Sequence, residues 1–244
     1  MNTVTDRRQV QKAIDFGLDP DVRLPEEVLS LQGWSSAPVR HFLQKLCSAD
    51  DVRYLEVGVW KGSTHIAALF DNEVKESMAI DDFSESWGAY TSSHDFGHVD
   101  NADDAIRESE LEDFRSNCLS ILGEVPPLIN AEFLKAAKQL PLDTYNAYFY
   151  DGAHSATAQE QALTHFIGSL ADVFVFVVDD WNYKAVSIGT HSGIKKCGLK
   201  IEEFWELEAD VIGDEDKWWN GLGVFILSKP KTKPAAPKSR KILK

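Results

Sequence analysis

The sequence predicts an α/β protein with a doubly wound, mostly parallel seven-stranded sheet and an antiparallel C-terminal hairpin. Three observations carry this. From residue 53 onward, apolar segments of strand length alternate with stretches of helical spacing, the pattern of right-handed βαβ units. The run VFVFVV at 173–178 has no polar alternation, as expected of a strand covered on both faces. The last two apolar runs are joined by DVIGDEDKWWNGLG, which has turn composition and no helical period, so they pair as a hairpin.

In chain order, residues 1–50 read as a helical lead-in. LPEEVLSL and SAPVRHFLQKLC place apolar residues near every 3.6, and the second opens on the cap candidates Ser35 and Ser36 with Pro38 in its first turn. A single domain follows over 51–228. Its strands are expected at 53–57, 77–80, 127–130, 147–150, 173–178, 204–208 and 223–228, with helices at 63–70, 104–122, 156–170 and 186–197. Residues 229–244 form a basic tail, rich in Lys and Pro and too poor in apolar side chains to order itself. No internal repeat interrupts this order.

Composition narrows the function classes. At 244 residues with 43% hydrophobic and 26% charged, the chain suits one α/β domain. Three scattered cysteines, with no CxxC pair, argue against a disulfide scaffold and a cysteine-rich zinc site. The N-terminus has charges where a signal peptide needs an apolar run, and no segment is long enough to span a membrane, so a cytoplasmic protein is expected. The tail holds seven Lys or Arg and no acid, leaving the body 18 basic residues against 39 acidic ones. Such a body repels phosphate backbones, so the expected partner is a small molecule rather than nucleic acid. Trp218 and Trp219 read as edge packing or a homodimer contact.

Open parallel sheets bind ligands beyond the carboxyl ends of their strands, which directs attention to the residues there. After the first strand runs Glu56-Val57-Gly58-Val59-Trp60-Lys61-Gly62-Ser63-Thr64. Its glycines allow a sharp turn and a close ligand, and Ser63 or Thr64 can cap the next helix, whose N–H groups face the pocket. The spacing is GxxxG, with Trp60 where a dinucleotide site needs a small residue; a plain strand–helix turn is the rival reading. After the second strand come Asp81 and Asp82. Asp81 can accept hydrogen bonds from both ribose hydroxyls, unless it is an ordinary loop acid. After the fourth stands Asp151-Gly152-Ala153-His154, and after the fifth Asp179-Asp180-Trp181-Asn182. The aperiodic stretch 83–101, with Trp87, Tyr90, His94, Phe96 and His98 within it, has the length of an active-site lid or of a loop packed on itself.

These motifs, in this order over 53–228, resemble the class I S-adenosylmethionine-dependent methyltransferases, which have a Rossmann-like fold. The first motif is most similar to that of the metal-dependent O-methyltransferases of catechol and caffeoyl-CoA type, and macrocin-type sugar O-methyltransferases look similar too. The resemblance implies that Glu56, Gly58, Gly62 and Ser63 surround the methionine half of the cofactor and that Asp81 holds its ribose. It places Glu132 near adenine, although Ala131-Glu132 stands where Gly-Asp is usual. It further implies that Asp151 borders the cofactor and joins Asp179 and Asp180 around one Mg²⁺ or Mn²⁺, a hard ion that suits carboxylates and activates a hydroxyl. Loop acids without a metal are the plainer reading. His154 matches a position for a general base, with Asp151 as its catalytic neighbour. The function implied is methyl transfer to a small-molecule hydroxyl. The alternatives are a nicotinamide-dependent oxidoreductase and a non-catalytic nucleoside-binding relative serving as a scaffold.

Overall fold

A computed structural model describes residues 2–19, 21, 23–84 and 104–231. The lead-in forms α1 (Arg7–Gly17), α2 (Glu26–Leu29) and α3 (Ala37–Cys47). Asp6 caps α1 by accepting the Arg8 N–H, and Ser36 caps α3 by accepting the Val39 N–H, so polar residues ahead of apolar periodicity set both starts. There follow β1 (Arg53–Val57), α4 (Ser63–Leu69), β2 (Glu76–Asp81), α5 (Asp104–Leu122), β3 (Leu128–Asn130) and the short α6 (Phe133–Ala136). The chain continues through β4 (Tyr145–Tyr150), α7 (Ala156–Thr164), β5 (Leu170–Val178), α8 (Lys184–Lys196), β6 (Lys200–Leu207) and β7 (Leu222–Ser228).

The seven strands make one sheet in the order β3-β2-β1-β4-β5-β7-β6. The first five are parallel, and β7 pairs antiparallel with both β5 and β6, as the missing crossover helix requires. Two layers cover the sheet. On one face α1, α3 and the alternating side chains of β1, β4, β5 and β7 bury Val10, Phe42, Leu43, Tyr54 and Val224. On the other, α6, α7 and α8 bury Tyr148, Phe166, Phe176 and Phe225. Tyr148 stacks on both Phe166 and Phe176, with ring centroids 5.5 and 4.9 Å apart. No helix among the described residues is long and apolar enough to cross a membrane.

Several boundaries move; β5 begins at Leu170 rather than 173 and β6 at Lys200 rather than 204. The helix expected to run to residue 170 ends at Thr164, because Leu170 is already in β5, pairing with Tyr145. The turn α6, unmarked by periodicity, forms because the Glu132 side chain accepts the Leu134 and Lys135 N–H groups. Of the expected lid, residues 85–101 lie outside the described residues, as does most of the tail.

The register fixes where the site sits. Val57 lies opposite Ile80 on one side and Tyr150 on the other, and Tyr150 lies opposite Val178. Gly58, Asp81, Asp151 and Asp179 therefore all emerge at one edge of the sheet, around the β1/β4 reversal of strand order.

Candidate active site

The strand ends are knitted together beyond the sheet. Gly58 N–H donates to the Ile80 carbonyl (2.9 Å), Asp151 N–H to Val57 (2.9 Å) and Asp179 N–H to Tyr150 (3.1 Å). Gly58 has φ +88°, and a Cβ there would stand 1.8 Å from the Asp151 carbonyl oxygen, so no side chain fits. Asp81 clamps the neighbouring loop: Oδ2 accepts the Trp60 N–H and Oδ1 the Phe83 N–H, both at 2.7 Å. Trp60 and Phe83 each adopt positive φ (41° and 50°), the strain that aims those amides at one carboxylate.

Above this floor opens a cavity of about 520 Å³. Gly58, Ser63, Asp81, Glu132, Asp151, His154, Asp179 and Asp180 all line it. Glu56 and Gly62 do not. Glu56 is fully buried beneath the wall, its Oε2 bonded by Tyr54 Oη (2.7 Å) and His65 Nδ1 (3.1 Å) and its Oε1 by Thr64 Oγ1 (2.5 Å). It holds β1 to α4. Gly62 is the left-handed N-cap of α4. Glu132 lines the cavity with its carboxylate turned back on α6.

The acids after β4 and β5 form one cluster. Burial first, and the charge of Asp180 second, push the Asp151 carboxyl well above the usual range; burial and then Asp151 do the same to Asp179. Asp180 stays anchored: Oδ1 accepts from Asn220 Nδ2 (2.6 Å), and Oδ2 lies 2.5 Å from His154 Nε2. The His154 ring lies parallel to that of Tyr183, centroids 6.3 Å apart. Donor atoms of Asp151, His154 and Asp180 fall within 4.8 Å of one another, a grouping that fits a cation. The set expected from sequence had Asp179 in place of His154. Asp179 instead points an Oδ1 that is buried without a hydrogen-bond partner among the described residues.

Sequence reasoning missed the opposite wall. Trp34 and Ser35 from the lead-in, and Ile212, Trp219 and Asn220 from the β6–β7 turn, also line the cavity. Trp34 packs on Trp60 (6.3 Å between centroids) and edge-on to Trp219 (6.4 Å). Of the tryptophan pair read as edge packing, Trp218 is buried against Phe42, whereas Trp219 faces the cavity. The one available signal was that Trp34 and Trp219 sit in turns with no periodic pattern to bury them.

No family model and no curated protein matches the sequence. Solved structures do share its architecture. TrmN from Thermus thermophilus superimposes with a TM-score of 0.55 at 13% identity over 83% of this chain, which spans about half (52%) of that protein. The S-adenosylhomocysteine-bound methyltransferase PaMTH1 from Podospora anserina gives 0.54 at 11% identity, covering 92% of this chain and 97% of its own. The O-methyltransferase from Bacillus cereus, in complex with the same nucleoside, gives 0.50 at 9%, covering 91% and 92%. The seven-stranded sheet with its antiparallel end is therefore an α/β, methyltransferase-like fold.

Proposed function

We propose that the protein transfers the methyl group of S-adenosylmethionine to a hydroxyl oxygen of a small molecule. The observation that carries this is the pairing, in one cavity at the strand-order reversal, of Asp81 with the His154–Asp180–Asn220 chain. The cavity fits the cofactor. Asp81 lines the cavity with both oxygens accepting loop amides, a carboxylate placed where it can also meet the hydroxyls of a ribose. The bare backbone at Gly58 admits close approach, and Ile80, Ala131 and Phe133 supply apolar surface for a base. When bound, the cofactor supplies an electrophilic methyl carbon on a sulfonium.

This chain's own work is positioning and proton removal. The tautomer in which His154 Nε2–H donates to Asp180 puts the imidazole lone pair on Nδ1, the atom that takes the hydroxyl proton. Asp180 fixes the ring and stabilises the imidazolium, and Asn220 fixes Asp180. The acidic wall disfavours RNA as acceptor.

One specific grouping supports a second reading, in which a divalent cation assists. Asp151, His154 and Asp180 would hold it, and a mixed nitrogen–oxygen set suits Mn²⁺ better than Mg²⁺. A chelator would then abolish turnover and Mn²⁺ restore it, whereas the imidazole mechanism is indifferent to chelation.

S-adenosylhomocysteine should raise the melting temperature, since a ligand selective for the native state stabilises it by mass action. Asp81→Ala should weaken that binding by about 1–3 kcal/mol. Stabilisation by NAD⁺ and none by S-adenosylhomocysteine would refute the proposal.

A further inference from the structure

The cavity wall has an unbalanced charge. Asp81, Asp82, Glu132, Asp151, Asp179 and Asp180 line it, and among the described lining residues there is no lysine or arginine. Burying carboxylates without a counter-charge is costly, which is why the Asp151 and Asp179 carboxyls are pushed up, and a cation beside them would favour their charged forms. Asp179, only 4% exposed, has an Oδ1 with no hydrogen-bond partner among the described residues. Two cations that stand just outside the wall are both committed: Lys61 to Asp113 (2.8 Å) and Gln32 (3.1 Å), 5.1 Å over the Trp60 ring, and Arg40 to Ser35 Oγ (3.0 Å) and the Leu29 carbonyl (2.8 Å).

Facing these acids is a wall of a different kind. Trp34, Trp60 and Trp219 stand together, and the rim carries exposed apolar surface at Trp34 (41%) and Ile212 (59%). The two walls are joined, because Asn220, next in sequence to Trp219, donates to Asp180. A ligand reaching His154 therefore meets carboxylates on one side and indole rings on the other. Indole faces attract cations and apolar groups alike, and carboxylates attract cations and repel anions.

We propose that the acceptor is an organic cation: a small hydroxylated amine whose apolar body lies against Trp34, Trp60 and Trp219 and whose ammonium faces the carboxylates. This rests on the methyl-transfer reading and specifies its acceptor. The chemistry balances without a further reactant. The O–H bond breaks with its proton passing to His154, the O–CH₃ bond forms, and the C–S bond breaks with its electron pair retained on sulfur. The ammonium takes no part; it anchors the molecule. Carboxylated, phosphorylated and thioester-nucleotide acceptors are excluded by repulsion.

Isothermal titration of the S-adenosylhomocysteine-saturated protein with tyramine, 4-ethylphenol and 4-hydroxyphenylacetate separates the charge of the acceptor from its shape, since all three carry the same phenol. Tyramine should bind at least about tenfold more tightly than 4-ethylphenol, and 4-hydroxyphenylacetate should not bind. Trp34→Leu, at a half-exposed site that tolerates change, should cut tyramine's advantage to within about threefold while S-adenosylhomocysteine still binds. Equal affinity for the amine and the neutral phenol, tighter binding of the acid, or no heat from tyramine in the loaded protein overturns the acceptor assignment alone. Absence of S-adenosylhomocysteine binding overturns the methyl-transfer reading beneath it.

Discussion

At Gly58 the backbone itself is the functional group. An added methyl would collide with the Asp151 carbonyl in a conformation that L side chains avoid, so Gly58→Ala should destabilise by about 3 kcal/mol or more in chemical denaturation. His154→Ala should lower kcat by about 10²–10⁴ while S-adenosylhomocysteine binding, measured by calorimetry, survives. Asn220→Ala should lower kcat about tenfold by loosening Asp180, again without loss of that nucleoside's affinity. Loss of nucleoside binding in either variant would place these residues in a structural role. Several residues of the cavity wall were legible because an acid straight after an apolar run marks a strand's carboxyl end; Asp81, Asp151, Asp179 and Asp180 are of this kind. Glu56 was less legible. Strand alternation turns it, with Tyr54, towards the α3–α4 layer, where Thr64 and His65 wait one helical turn away.

Elements carry their own tests. Ser36 caps α3 and donates to the Lys217 carbonyl in the β6–β7 turn, so Ser36→Ala should cost about 1–2 kcal/mol in urea unfolding. Within α3, His41 Nε2 accepts the Leu24 N–H (2.9 Å), and burial holds its pKa below 6.5. The unfolded chain takes up a proton near pH 6.5, and the folded one only lower. The contribution is therefore whole above about pH 6.5 and is lost as pH falls towards the folded pKa. Thermal unfolding between pH 7 and 5 should show a shallower decline for His41→Phe than for wild type; equal slopes would remove His41 from the account. Strands were legible as apolar runs, and α5 from its charge and length. The turn α6 was not, because four residues show no period, and its cause is a side chain capping its own backbone.

The whole molecule explains why half of the cavity wall escaped sequence reading. Trp34 meets Trp219 and Ser36 meets Lys217 across more than 180 residues, and no local pattern announces a contact made only when the sheet is complete. The fold could be read from periods; the second wall could not. The same topology has a consequence for how the chain is made. In the sheet β7 lies between β5 and β6, yet it is the last of these seven strands to leave the ribosome. Until residues 222–228 emerge, β5 offers an open edge of Val and Phe with its amides unpaired, and the newly made β6 has no neighbour to join. Such an edge is a template for other chains. Nascent or truncated forms ending before Leu222 should therefore aggregate and depend on chaperones, and solubility should return abruptly once the seven residues of β7 are present.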